Sequence, residues 1–133
     1  PQEMANVVEK ALSQGNQKVI LTERGTFFGY NNLVLDVRSI PLMKKWGFPV
    51  VIDASHTVQR PGGRGEASAG EAEFIPLMVR TGVAAGADGI FIEVHDNPPQ
   101  ALSDAHNSLI INKLDRVLRS AVQIKKALRE AAQ

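Results

Sequence analysis

Three apolar runs of this chain end in ionisable residues. "KVILTERG" delivers Glu23 and Arg24, "PVVIDASH" delivers Asp53 and His56, and "GIFIEVHDN" delivers Glu93 and His95. A histidine and a carboxylate offered by neighbouring segments can act as general acid and base around an organic substrate. Together with Asp104, in the stretch after the third run, they also make a nitrogen-and-oxygen donor set suited to Zn²⁺, Fe²⁺ or Mn²⁺. Arg24, beside Gly25, offers the planar fork of donors that holds a phosphate or carboxylate, although a solvated surface arginine has the same spacing. Asp53 taken alone reads as a helix cap or loop starter, and His95 and His106 read as exposed loop histidines.

The elements that must position these residues follow from periodicity. Over residues 1–14, Met4, Val7, Val8, Ala11 and Leu12 recur at three- and four-residue spacing, and Gly15 suits the C-terminal cap of a helix. The β-branched run of residues 18–22 lacks polar alternation, the mark of a strand covered on both faces, and residues 49–53 repeat the pattern. A short helix over 39–45 is expected between them, with Ser39 as cap and Pro41 in its first turn. Residues 71–81 read as the next helix and residues 89–94 as a third strand. Asn112 is the expected cap of a last helix lined by Leu114, Val117, Leu118, Ala121, Ile124 and Leu128. The glycine-rich segment 57–70, with Arg60 and Arg64, reads as a long mobile loop that closes over a charged ligand.

Helices alternating with strands that are apolar on both faces make an α/β chain around a parallel sheet. Three such strands fit either a small open sheet or a slice of a (β/α)₈ barrel, and Pro1, opening the chain without an initiator methionine, favours the slice. In both folds ligands meet the C-terminal strand ends, where Arg24, His56 and Glu93 stand. The 133 residues, 44% hydrophobic, suffice for one domain over 1–133 with a real core. A formal charge of +1 with no basic block argues against nucleic acid as a partner, and no apolar run approaches the length needed to span a membrane. The absence of cysteine excludes disulfides and thiolate metal sites within the chain and suits a cytoplasmic setting.

"LTERGTFFGYNNLVLDVRSIPLMKKW", "IDASHTVQRPGG" and "GIFIEVHDNPPQALSDA" resemble the C-terminal half of the 3-deoxy-D-manno-octulosonate 8-phosphate synthases, and the similarity runs along nearly the whole chain. The resemblance implies strands six to eight of a (β/α)₈ barrel and a transferase that condenses phosphoenolpyruvate with D-arabinose 5-phosphate and water, releasing phosphate. It implies that Arg24 holds phosphoenolpyruvate, that Gln59 contacts arabinose 5-phosphate with Arg60 also binding substrate, and that segment 60–70 is a lid. His56, Glu93 and Asp104 would then be the catalytic residues and, in the metal-dependent branch, the metal ligands. "DASHTVQ" and "LSDA" lean towards that branch, whose further cysteine ligand belongs to a strand outside this chain. In the metal-independent branch there is no cofactor. The resemblance also implies a cytoplasmic homotetramer serving lipopolysaccharide synthesis. "ERG", the Asp-x-Ser-His motif and "EVH" are shared with the 3-deoxy-D-arabino-heptulosonate 7-phosphate synthases, which use erythrose 4-phosphate, so those motifs alone leave that substrate open. A non-catalytic half-barrel that pairs with a second chain or itself is the remaining alternative.

Overall fold

The computed structural model describes residues 1–28, 32–64 and 67–132. Residues 29–31 of the "FFGYNN" stretch and residues 65–66 of the expected lid lie outside the described residues.

The sheet that organises the molecule contains β1 (Leu21–Glu23), β4 (Val50–Asp53) and β7 (Gly89–Phe91), all parallel, in the order β1-β4-β7. Between them lie α1 (Met4–Ser13), α2 (Ser39–Lys44) and α3 (Ile75–Ala84), and α4 (Leu114–Ala131) closes the chain. β4 sits in the centre, and its Val50 and Ile52 are wholly buried, as a parallel strand covered by helices requires. Two hydrophobic clusters flank it. Val8 of α1, Leu21 of β1 and Ile40 and Met43 of α2 gather around Val50 and Ile52. Ile75, Val79 and Val83 of α3 meet Val117 and Ala121 of α4 over Ala54 and Leu109. Burying a large aliphatic side chain contributes roughly 1.5–3 kcal/mol, so these clusters fix the strand ends relative to one another. Gly82 lets α3 lie directly on β4, since a Cβ there would stand 2.6 Å from the Cβ and Cγ2 of Ile52.

Several expectations are corrected. The first strand begins at Leu21 rather than residue 18, and Ile20 is 64% exposed, because β1 is an edge with β4 as its only partner among the described strands. Ser39 is the first helical residue, not the cap, and its hydroxyl donates instead to Glu23 Oε2. Asn112 lies inside a 3₁₀ turn, Ile111–Lys113, that leads into α4 without a side-chain cap. Leu118 and Leu128 are each 40% exposed, because α3 covers only one side of α4. The described residues of segment 57–70 do not form an irregular loop. The segment opens with a 3₁₀ turn, His56–Val58, and continues as an antiparallel pair, β5 (Gln59–Arg64) and β6 (Ala67–Gly70), whose register shifts between Arg60 and Arg64.

Two smaller pairings trim the same end of the sheet. After β1 the chain makes an antiparallel hairpin of β2 (Thr26–Phe27) and β3 (Leu33–Val34). After β7, the short β8 (Val94–His95) pairs in parallel with β9 (Leu109–Ile110).

Candidate functional site

All three principal strands end on the same side; the turns after β1 and β4 are held by their own side chains, and the segment after β7 is held by Ser55 of the β4 turn. At the end of β1, Glu23 Oε1 accepts the Gly25 amide at 2.7 Å, and Gly25 adopts φ +83°, a left-handed turn that glycine makes without strain. The turn projects Arg24, which is exposed, and its Nη2 donates to Gln59 Oε1 at 3.4 Å. Glu23 is therefore structural, and Arg24 is the group it presents.

At the end of β4, Asp53 accepts the His56 amide through Oδ1 at 2.9 Å and faces His56 Nδ1 through Oδ2 at 2.8 Å. Asp53 is itself buried at 6% exposure. A buried carboxylate needs donors, and both come from one residue, so the imidazole is held in a single orientation with Nδ1 as donor. Phe91 of β7 flanks the ring, with centroids 5.9 Å apart. The other nitrogen, Nε2, lies 3.7 Å from Asp104 Oδ1. A neutral imidazole held this way turns a lone pair towards a carboxylate, an arrangement that a proton or a cation between the two relieves.

Asp104 reaches this position from a strained turn. Its φ is +53°, the one positive value recorded for a non-glycine residue among those described. Its carbonyl accepts the Asn107 amide at 2.8 Å and the Ser108 hydroxyl at 3.0 Å, which hold the turn closed. Backbone strain of this kind costs of order 1–3 kcal/mol and persists where the surroundings fix it.

The expected residues are thus partly assembled. His56 and Asp104 meet, and Arg24 meets Gln59. Gln59 and Asp104 line one cleft of about 340 Å³ with residues 101–107, whereas Arg24 and Glu23 line another of about 390 Å³. Glu93 is half-buried and held by its backbone, yet its carboxylate forms no hydrogen bond or ion pair among the described residues. Arg60 turns to Glu71, with Nη1 3.7 Å from Oε1, instead of joining Arg24. His95 Nδ1 accepts the Asn97 amide at 2.9 Å, away from this group, and His106 is exposed on the cleft that Gln59 and Asp104 line. Among the described residues no three His, Asp or Glu side chains converge tightly enough to form a metal centre by themselves. The donor chemistry of His56 Nε2 and Asp104 Oδ1 nevertheless suits two sites of one ion, since ligand bonds of about 2.0–2.2 Å place tetrahedral neighbours about 3.4 Å apart. The residue that sequence reasoning undervalued is Asp53. The signal was available in its spacing, three residues before His56 at a strand end.

Comparison with known proteins adds the relationship. The sequence profile described as the DAHP synthetase I family matches residues 1–130. The chain is 51% identical over 133 residues to the 2-dehydro-3-deoxyphosphooctonate aldolase of Desulfosudis oleivorans, covering 99% of this chain and 48% of that protein. It is 55% identical over 119 residues to the protein of that name from Geobacter sulfurreducens, covering 90% of this chain and 44% of the relative. The chain therefore spans about half the length of the curated relatives it matches. Among solved structures, a phospho-2-dehydro-3-deoxyheptonate aldolase from Thermotoga maritima superposes with a TM-score of 0.78 at 31% identity, covering 95% of this chain and 35% of that one. A truncated 3-deoxy-D-arabino-heptulosonate 7-phosphate synthase from the same organism gives 0.74 at 32% identity, covering 90% of this chain and 43% of that one. The parallel strands and their helices are accordingly part of a (β/α)₈ barrel.

Proposed function

This chain belongs to the DAHP synthetase I family, and from that premise we propose that it carries strand-end residues of a synthase joining phosphoenolpyruvate to D-arabinose 5-phosphate. Water is the third reactant, and the products are 3-deoxy-D-manno-octulosonate 8-phosphate and phosphate. The observation that carries the choice of sugar is the sequence identity, much higher to relatives named for the eight-carbon phosphooctonate than to the solved heptonate enzymes.

In this reaction C3 of phosphoenolpyruvate attacks the aldehyde carbon and forms the new C–C bond. Water adds at C2, and the bond from C2 to the phosphate oxygen breaks, so phosphate leaves and C2 becomes the ketone. Water gives up two protons, one taken by the former aldehyde oxygen and the other by the departing phosphate. Arg24 binds the anionic phosphoenolpyruvate, and its bond to Gln59 sets the two substrates side by side, Gln59 facing the sugar phosphate and Arg60 lying at its edge. Without a metal, His56, its Nδ1 held by Asp53, keeps Nε2 available to receive or return a proton, and Glu93 stands on the neighbouring strand end as the second acid–base group. A divalent ion, Zn²⁺, Fe²⁺ or Mn²⁺, would be held by His56 and Asp104 with Glu93 as a further donor, and it would polarise the aldehyde or orient the water. The alternative without a cofactor uses the same side chains as hydrogen-bonding groups. Segment 60–70 serves as the lid, and the setting is a cytoplasmic homotetramer supplying lipopolysaccharide synthesis.

The test is phosphate release from phosphoenolpyruvate by this chain, alone and joined to the part of the Desulfosudis oleivorans relative that it does not cover. Arabinose-dependent release by the joined protein is expected, lost on chelation and restored by Zn²⁺, Fe²⁺ or Mn²⁺. Preference for erythrose 4-phosphate would overturn the sugar assignment, and activity unmoved by chelation would overturn the metal.

A further inference from the structure

The main-chain ladder between β4 and β7 ends one residue beyond the sheet, where the Ala54 amide donates to Phe91 O at 3.0 Å. The next rung is made by a side chain. Ser55 Oγ accepts the Glu93 amide at 2.8 Å, across 38 residues of sequence. Ser55 is wholly buried, at 0% exposure. A buried hydroxyl in apolar surroundings is unfavourable unless bonded, and the partner found here is the backbone of a residue whose side chain is in the proposed site. The Glu93 carbonyl is fixed on its other side by the Leu109 amide at 2.8 Å. Glu93 is thus clamped through both of its main-chain groups while its carboxylate has no hydrogen bond or ion pair among the described residues. Within the single turn Asp53–His56, Asp53 orients the imidazole and Ser55 ties the turn to Glu93.

We propose that Ser55 is a positioning residue that sets where the Glu93 carboxylate stands relative to His56. The proposal rests on the function assigned above to His56 and Glu93. Its chemistry is narrow: the position needs a buried oxygen acceptor, not merely a small side chain. A threonine keeps that acceptor, a cysteine keeps the volume but accepts weakly, and an alanine removes it.

The experiment compares Ser55→Ala, Ser55→Cys and Ser55→Thr in the joined protein described above, by steady-state kinetics and by hydrogen–deuterium exchange of the peptide containing Glu93. Ser55→Ala and Ser55→Cys are expected to lower kcat at least tenfold, with KM for both substrates within about twofold because Arg24 and Gln59 are untouched. They should also speed exchange at Glu93, and Ser55→Thr should restore both readouts. Unchanged exchange in Ser55→Cys would show that the hydroxyl does not hold the Glu93 amide and would overturn the proposal. Faster exchange with unchanged kcat would overturn it too, since the link would then be structural only. An unmutated joined protein with no synthase activity overturns the function itself and the role of Ser55 with it, and that result is distinguished by the unmutated control.

Discussion

Gly82→Ala tests whether the close approach of α3 to β4 holds the barrel segment together. Two effects oppose each other. Alanine in a helix interior is favoured over glycine by about 1 kcal/mol, so on propensity alone the variant gains stability. The added methyl, however, would stand 2.6 Å from Cβ and Cγ2 of Ile52 and 2.7 Å from its Cγ1, about an ångström inside van der Waals contact. Ile52 is wholly buried in the central strand, and no rotation about χ1 moves its Cβ away. Overpacking of a rigid core costs about 1–3 kcal/mol, and the rigidity of this contact places it at the upper end. The net expectation is a loss of about 2 kcal/mol, a fall in Tm of about 6–10 °C for a chain of this size. Urea and thermal unfolding followed by far-ultraviolet circular dichroism would measure it. A double-mutant cycle sharpens the test. Ile52→Val retains every clashing atom and should not compensate, whereas Ile52→Ala removes two of the three and should show favourable coupling. A Gly82→Ala chain as stable as the parent, or compensation by valine, would refute the packing argument.

Other expectations can be checked on the same protein. Asp53→Asn keeps a cap for the His56 amide but no longer accepts charge-assisted from Nδ1, and phosphate release should fall about 10–100-fold with the circular dichroism spectrum unchanged; unaltered kcat would remove Asp53 from the site. Gly70→Ala places a Cβ 1.6 Å from Asn107 Oδ1, so the base of the β5–β6 hairpin must part from the Asp104 turn; activity should drop at least tenfold and recover in part when Asn107→Ser shortens the opposing side chain. Burial alone would raise the Asp88 carboxyl above its usual 3.8, but bonds from Lys44 and the Val50 amide, with the Lys44 and Lys125 charges, bring it below that value. A depressed folded-state pKa stabilises above the unfolded value and is lost as pH falls through the folded one. Asp88→Asn should therefore flatten the decline of the urea midpoint below about pH 4 while lowering it at neutral pH, and a parallel decline in both proteins would contradict the assignment.

How much of this was legible beforehand depended on the range of the interaction. The alternation of helix and strand, and the collection of Arg24, His56 and Glu93 at strand ends, followed from runs of neighbouring residues, and local pattern reports such features well. Capping did not. Ser39 and Asn112 have the right type and place for caps, yet Ser39 answers to Glu23, from another element, and Asn112 falls within a 3₁₀ turn. The β5–β6 hairpin was missed because glycine-rich strands carry no alternation to read. Asp53 was undervalued because an acidic residue at a strand end is ordinary by itself, and only the geometry of its two bonds to His56 distinguishes it.

The bonds that gather the site have a kinetic consequence. Arg24 reaches Gln59 across 35 residues and Ser55 reaches Glu93 across 38, and the strands beneath them are parallel, so no hairpin brings them together early. Such non-local contacts form only after the intervening loops have been closed, late on the folding pathway. A half-folded chain can have helices α3 and α4 and the local Asp53–His56 pair in place and still lack the Arg24–Gln59 and Ser55–Glu93 links. Ligand that engages these pairs can then stabilise only the fully assembled state, so the site acts as a checkpoint on its own folding as well as a place for chemistry.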